Sequence, residues 1–527
     1  MKLAAFTSSL ALLLFACGSR SSLLGGESAG GVSGAGGSGP PPPCQSDTEC
    51  PAGDACGSYR CIEQRCVLEP VSCDDQFPCT EDTCDPAAGC RHRFLSLDMD
   101  GDGHRSPRPG FSADTDVCGD DCDDTNPNAF KTNVEVCDGV DNDCDGVVDN
   151  GFAYQRSLLT PVRVAPATAR RSQRDDGGIT ATPNAFVIAY TMLEDRYQSR
   201  VKGVNASGAA LFETEVSDVN PNTFAGAITW SGKDLATAWS DARQGGEYEL
   251  YARLFGPMGE KQKLPTRLTN ADGFSLHPSI KWNQSEYLIA FDDRRADSNS
   301  VGDRAQIFGQ RLAPDGSLLG GNVLLVDDEG TSEFPSLALS PRRVGLAYSL
   351  TENGDSRSRL GFRVLDATLN VVAKPRSVGN DVDTLTVQFV KDRFVALWDV
   401  SDGMMQGDAI WGAAFDEDGA MVVPPKRVTS AARFARSVGA LSLGDRLLMM
   451  WADDAETATG TYELYFQTLD RNLDVLVKRQ RFTFSNTTTL GPALAPGPEG
   501  KIGVVFESWQ DGSRQVYFSA LECAATP

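Results

Sequence analysis

Seven times in its last 375 residues the chain runs through a short apolar stretch that ends on an aromatic side chain. The copies are Phe186–Tyr190 (FVIAY), Leu235–Trp239 (LATAW), Tyr287–Phe291 (YLIAF), Val344–Tyr348 (VGLAY), Phe394–Trp398 (FVALW), Leu447–Trp451 (LLMMW) and Ile502–Phe506 (IGVVF). They start 49, 52, 57, 50, 53 and 55 residues apart. Apolar runs of this length between turn residues read as strands buried on both faces. Each is followed by an Asp- or Gly-rich turn and another strand, such as Tyr248–Tyr251 or Tyr462–Tyr465, both YELY. A period near fifty with four short strands per unit is the pattern of a β-propeller. The expectation is therefore an all-β chain with a seven-bladed β-propeller at residues 153–527. A pair of β-sandwiches, or six blades plus an extra sheet, is the alternative. The segment Ser157–Val164 matches the fourth strand of a blade, as Leu264–Leu268 does, while the chain ends on a third strand, Gln515–Leu521. The N-terminal strand should complete the seventh blade and bring Cys523 close to Gly151.

The residues before 153 cannot build a core of that kind, and they divide by composition. Lys2 precedes an apolar stretch, Leu3–Phe15, of the length of a secretory leader and too short to span a bilayer. Leu14-Phe15-Ala16-Cys17 resembles a bacterial lipobox, which implies a signal peptide at 1–16 and lipidation of Cys17. Gly18 after it favours the outer membrane, and plain cleavage with release is the alternative. Residues 17–43 are Gly, Ser and Ala closing on four prolines, a tether. Residues 44–96 hold nine of the fifteen cysteines with few apolar residues between them. In an exported protein this reads as a disulfide-rich module; zinc fits poorly, because the cysteines are four or five residues apart where zinc pairs are closer. The second half resembles the CDD-x-x-x-CT-x-D-x-CDP-x-x-GC-x-H repeats of bacterial surface proteins. Parity leaves two arrangements open. Either Cys118, Cys122, Cys137 and Cys144 close on themselves and Cys523 pairs with the odd cysteine of the nine, or Cys523 takes a partner from among those four.

Residues 97–152 carry the chemistry. Asp98-x-Asp100-x-Asp102-Gly103 and Asp141-x-Asp143-x-Asp145-Gly146 place carboxylates at alternate positions before a turn-permitting glycine, the arrangement that converges oxygens on a hard cation. Neither is a full EF-hand, since position twelve is Pro109 in one and Phe152 in the other, where a bidentate Glu is needed. Asp121, Asp123 and Asp124 are the candidate extra ligands for the first loop and Asp149 for the second. Between Asp98 and Gly151 there are fourteen Asp and one Glu against three Arg or Lys, a net of −12 out of −24 for the whole chain.

This segment resembles the metal-binding motif named after the copper-binding protein MopE, in the pieces Asp98–Gly103, Cys118–Pro127 and Glu135–Asp149. The resemblance implies metal binding, with copper in the family name. The ligands in this chain are nearly all oxygen, which suits Ca²⁺; Met99, His104 and His92 are the nearby side chains that would suit copper.

The function expected is that of a non-enzymatic, lipid-anchored protein of the bacterial cell envelope. Its metal would be structural and its propeller loops would bind an extracellular protein or glycan. The alternative is a propeller hydrolase or lyase acting on extracellular polysaccharide. So acidic a surface excludes nucleic acid as a partner. The propeller's lone histidine, His277, falls where another blade has Phe334, which reads as packing. Asp241, Asp292, Asp293, Asp399, Asp453 and Asp454 recur after the aromatic strands and read as turn-stabilising acids.

Overall fold

The computed structural model describes residues 42–108, 110–113, 115–137, 140–146, 149–165, 169–170, 178–193, 195–219, 222–243, 247–270, 273–295, 304–379, 381–400, 409–429, 434–457, 460–485, 487–510 and 513–525. The leader, Cys17 and most of the tether lie outside them. Two compact units divide after Leu95.

The first unit is two hairpins, Gly57–Ile62 with Arg65–Pro70 and Thr80–Asp85 with Gly89–Phe94. Bridges Cys44–Cys61, Cys50–Cys66, Cys56–Cys84 and Cys73–Cys90 hold them. Its buried apolar residues are cysteines, among them Cys44 and Cys66, so cross-links stand in for an apolar core as the composition requires.

From Ser96 onward the chain is one unit, built on seven antiparallel sheets. Blade 1 is Ile179–Thr182, Ala185–Leu193, Tyr197–Val204 and Ala210–Glu215, with Ala169–Arg170 extending its inner edge. Blades 2 to 6 begin on inner strands Thr223–Trp230, Ser275–Trp282, Gly330–Leu339, Val382–Val390 and Ala435–Leu443, and each runs outward through three more strands in chain order. Blade 7 is Thr489–Pro496, Ile502–Gln510 and Ser513–Ala525. Its outer strand comes from the other end of the domain: Phe152–Arg156 and Val162–Arg163 both pair with Ser513–Ala525. Every inner strand touches the next, and that of blade 7 touches that of blade 1, so the ring closes. The expected exchange between termini is present, but Phe152–Arg156 carries most of the pairing, and of the expected strand Ser157–Val164 only Val162–Arg163 is a strand.

The repeat works through its second strands. Leu235–Asp241, Tyr287–Asp293 and Arg446–Asp453 are buried at every position, because adjacent blades pack on both their faces. The seven repeat aromatics, Tyr190, Trp239, Phe291, Tyr348, Trp398, Trp451 and Phe506, are all at most 2% exposed. Fourth strands such as Leu318–Leu324 are largely exposed.

The inner strands of blades 2 to 7 share a bulge. Register slips at Ala225/Ile228, Leu276/Ser279, Glu333/Ser336, Val382/Leu385, Arg436/Gly439 and Leu490/Ala493. His277, Phe334 and Ser437 sit in these bulges at φ 47°, 56° and 55°. Acids on the second strands satisfy the backbone freed there: Asp399 accepts from Thr384 N at 2.5 Å and from Ser437 N of the next blade at 2.8 Å. Asp399→Ala leaves two buried N–H groups without an acceptor, so a loss of about 2–4 kcal/mol is expected. Urea unfolding checks it; a loss below about 0.5 kcal/mol, the size of an ordinary surface substitution, would contradict the clamp.

Candidate metal centres

The described residues between 96 and 151 have almost no regular structure, and side-chain carboxylates binding backbone N–H groups, with disulfides, order them. Gly101, Gly103 and Gly146 turn the two Asp loops at φ 82°, 96° and 89°, values closed to most side chains. In the first loop Asp98 Oδ1 accepts from Gly101 N (2.8 Å), Asp100 Oδ1 from Asp102 N (3.2 Å) and Asp102 Oδ1 from His104 N (2.7 Å). Each carboxylate keeps a second oxygen. One oxygen from each of Asp98, Asp100 and Asp102 lies within 4.8 Å of the others. The Oδ2 atoms of Asp100 and Asp102 are buried without a hydrogen-bond partner.

The GDDCDD run closes on this loop. Asp121 N donates to Arg105 O at 3.1 Å, and Asp124 Oδ1 accepts from Met99 N at 2.9 Å. Asp121 is 0% exposed and its Oδ2 has no partner. Burial, with repulsion from Asp100, Asp102 and Asp124, pushes its carboxyl up to about 6 against the bond it accepts from Asp123 N. Asp121 thus stands among the loop's acids, as the sequence suggested for it and Asp124.

A second centre forms on Asp141, Asp143 and a residue the sequence reading passed over, Glu135. Their ligand oxygens also lie within 4.8 Å. Asp141 accepts from Asp145 N and Gly146 N at 3.1 and 2.9 Å. Glu135 Oε1 accepts from Asn142 N (2.5 Å) and Asp143 N (3.0 Å), while its Oε2 is buried and unpartnered. Burial raises both Glu135 and Asp141, and neighbouring acids add to it. The signal was available: Glu135 is the segment's one Glu.

Four candidates are placed elsewhere. His104 turns Nδ1 to Asp120 Oδ2 at 2.9 Å and stacks on Phe130 at 3.8 Å. Asp123 is exposed and accepts the Thr125 hydroxyl at 2.7 Å. Asp145 is exposed and accepts from Asn150 Nδ2. Asp149, expected as a ninth-position ligand, is buried in an ion pair with Arg446 of blade 6 at 3.4 Å. Met99 is 68% exposed. In the first unit, His92 is held by Asp82 (2.8 Å) and Asp75 (3.3 Å), a mutually satisfied trio.

The segment is fastened to the propeller at the seam of the ring. Cys137 bonds Cys523 and Cys122 bonds Cys144, which selects the arrangement in which Cys523 takes its partner from the metal segment.

The propeller acids that follow the aromatics are buried and hold neighbouring backbone, and they occupy several positions of the repeat rather than one. Asp241, Asp293 and Asp453, two residues after the aromatic, accept from Arg243 N (2.9 Å), Arg295 N (2.8 Å) and Ala455 N (2.7 Å). The indoles of Trp239 and Trp451 donate to Asp241 and Asp453 at 3.1 Å. Asp292 and Asp399, one residue after it, clamp neighbouring blades; Asp454, three residues after it, is also buried. The Glu of each YELY strand is buried too, Glu249 against Arg267 (2.8 Å) and Glu463 against Arg481 (3.2 Å).

A family described as a putative metal-binding motif, Cu-binding MopE, matches residues 121–150. No curated protein matches the chain. Among solved structures, the polysaccharide lyase Uly1 is 7% identical with a TM-score of 0.46, covering 69% of this chain and 99% of that one. A protein of unknown function from Dyadobacter fermentans is 13% identical (TM-score 0.41; 70% and 99% covered). A puromycin-hydrolysing peptidase of Mycobacterium tuberculosis is 13% identical (TM-score 0.43; 69% and 54% covered). Likenesses this distant carry no argument about activity; the motif match and the two carboxylate clusters together show a segment capable of holding a metal ion, joined to a seven-bladed propeller.

Proposed function

We propose that residues 96–151 are a calcium-ordered clasp on the propeller of an exported, lipid-anchored surface protein, and that the propeller is a binding platform for extracellular glycan or protein. The observation that carries this reading is Asp121: a fully buried carboxylate with an unpartnered oxygen, set among three further acids. Carboxylates gathered so closely repel one another unless a cation neutralises them, and an all-oxygen set suits Ca²⁺. Copper would want imidazole or sulfur, yet the His104 ring is held by Asp120 and Phe130 and Met99 points into solvent. Disulfide-bonded cysteines throughout the described chain support an oxidising compartment. The calcium would stabilise the folded state by mass action, binding it and not the unfolded chain.

The test is the metal content and melting of residues 44–527, purified oxidised without chelator. Bound calcium is expected near two equivalents, with a transition that falls by several degrees in EDTA and recovers with Ca²⁺ alone. Stoichiometric copper, or no metal and no EDTA effect, would overturn it. The alternative of glycan processing has one observation in its favour: His277 Nδ1 bonds the fully buried Asp292 at 2.8 Å, which orients the ring at a strained position of blade 3.

A further inference from the structure

The blades are antiparallel meanders, so the starts of first and third strands lie on one edge of the ring and the starts of second strands on the other. The clasp engages the second of these edges, through Arg446 at the start of a second strand and Cys523 near the end of a third. The opposite edge carries an uninterrupted row of aromatic rings across three blades. Tyr197 opens the third strand of blade 1, Phe224 lies at the start of the first strand of blade 2, and Tyr248 and Phe274 immediately precede the third strand of blade 2 and the first of blade 3. Successive ring centroids are 5.0, 5.3 and 6.1 Å apart. Phe224 is 37% exposed and the other three are half-buried. Three residues beyond Phe274, in the first strand of blade 3, stands His277, whose side chain is 25% exposed, held through Nδ1 by buried Asp292 and set against Phe334 of blade 4.

We propose that this row, Tyr197–Phe224–Tyr248–Phe274, is a binding track for an uncharged polysaccharide, with His277 as a fixed polar contact at its end. The inference rests on reading the propeller as a platform for extracellular ligands, and it names the ligand class and the face. Sugar rings present an apolar C–H face and a hydroxyl edge. Aromatic rings in file, with polar groups beside them, match both aspects, as orienting polar groups do in ligand sites lined mainly by apolar side chains. The spacing of the rings is close to the advance of one sugar unit along an extended chain.

Charge decides against an acidic polymer. Three arginines near this edge are paired: Arg243 with Asp241 at 2.5 Å, Arg295 with Asp293 at 2.6 Å and Arg294 with Glu333 at 3.1 Å. Glu247, next to Tyr248, is exposed and receives Gly273 N at 2.9 Å. With these arginines spent on carboxylates and Glu247 exposed, this edge disfavours uronates and sulfates.

Affinity electrophoresis of the oxidised, calcium-supplied protein tests this. The gels hold barley β-glucan, xylan or galactomannan as neutral polymers and polygalacturonate or alginate as acidic ones. Retardation by at least one neutral polymer is expected, weakened about tenfold in Phe224→Leu and Tyr248→Ala. Phe224→Leu keeps apolar bulk and loses only the π face, so it separates stacking from packing; Phe224→Trp should bind as wild type. Melting temperature and bound calcium, measured on every variant, keep a folding defect from passing for lost binding. If wild type is retarded by a neutral polymer and Phe224→Leu and Tyr248→Ala equally so, the track falls while the platform reading stands. Retardation by acidic polymers alone also overturns the track. If no polymer retards the wild type, the track and the glycan arm of the platform reading fall together.

Discussion

Cys137→Ser/Cys523→Ser is expected to lower the melting temperature of the propeller unit by about 5 °C. The bridge spans a sequence separation of 386 and joins the metal segment to the last strand. Chain-entropy arithmetic puts the effect of a cross-link over so long a loop at about 6 kcal/mol, and about 5 kcal/mol, the top of what disulfides contribute, is taken as the expected loss. Unfolding entropy of about 2 cal/mol/K per residue turns that into roughly 1 °C per kcal/mol for a unit as long as Ser96–Pro527. Without the bridge, the seam keeps its strand pairing, Phe152–Arg156 and Val162–Arg163 against Ser513–Ala525, the packing of Tyr154 and Val164, and the Asp149–Arg446 ion pair. Opening there frees the outer strand of blade 7, so limited proteolysis near Phe152 should accelerate with the fall in melting temperature. Removing Cys44–Cys61, which lies in the other unit, supplies the control and should leave this transition in place. A double variant that melts with wild type would mean that the ring closes without the bridge.

The propeller was legible because its period and its burial have one cause. A strand packed between two blades must be apolar on both faces, and the seven aromatics mark where each second strand nears its end. The seam was legible from the unmatched strand at each end of the repeat. The inner-strand bulges were not, because what marks them is a backbone angle, and His277, Phe334 and Ser437 share no side-chain chemistry. Reading His277 and Phe334 as one position of the repeat matches the bulge each occupies, and their rings meet at 4.3 Å. It missed that His277 Nδ1 takes a place on Asp292 of the kind a backbone N–H takes on Asp399. In the metal segment alternate Asp residues marked both loops, but alternation does not say which oxygens remain free. Asp145 and Asp149 continue the second pattern and are spent on Asn150 and Arg446, while Glu135, outside the pattern, folds in to replace them.

Calcium and protons should compete at Asp121, and this gives the largest change in affinity to be expected of the clasp. The Asp121 carboxyl stands at about 6 in the folded chain against 3.8 in its ordinary state. Its folded value is raised, so the metal-free protein holds this proton more tightly than the unfolded chain does. Its contribution to metal-free stability is therefore greatest below about pH 4 and is lost as the pH rises through 6. Calcium binds the ionised form, so its affinity runs the opposite way. Below pH 6 each pH unit costs about tenfold, and between pH 6 and pH 4 the first centre should weaken by about 100-fold. Calcium titrations followed by calorimetry at pH 7.5, 6, 5 and 4 measure the slope. Asp121→Asn removes the titrating group and the buried charge together. At pH 7 the variant should melt higher than wild type in EDTA and gain less from added calcium, so the two curves cross. A variant that lowered both curves equally would show that Asp121 serves packing alone, and the first centre would then lose the residue on which its assignment rests.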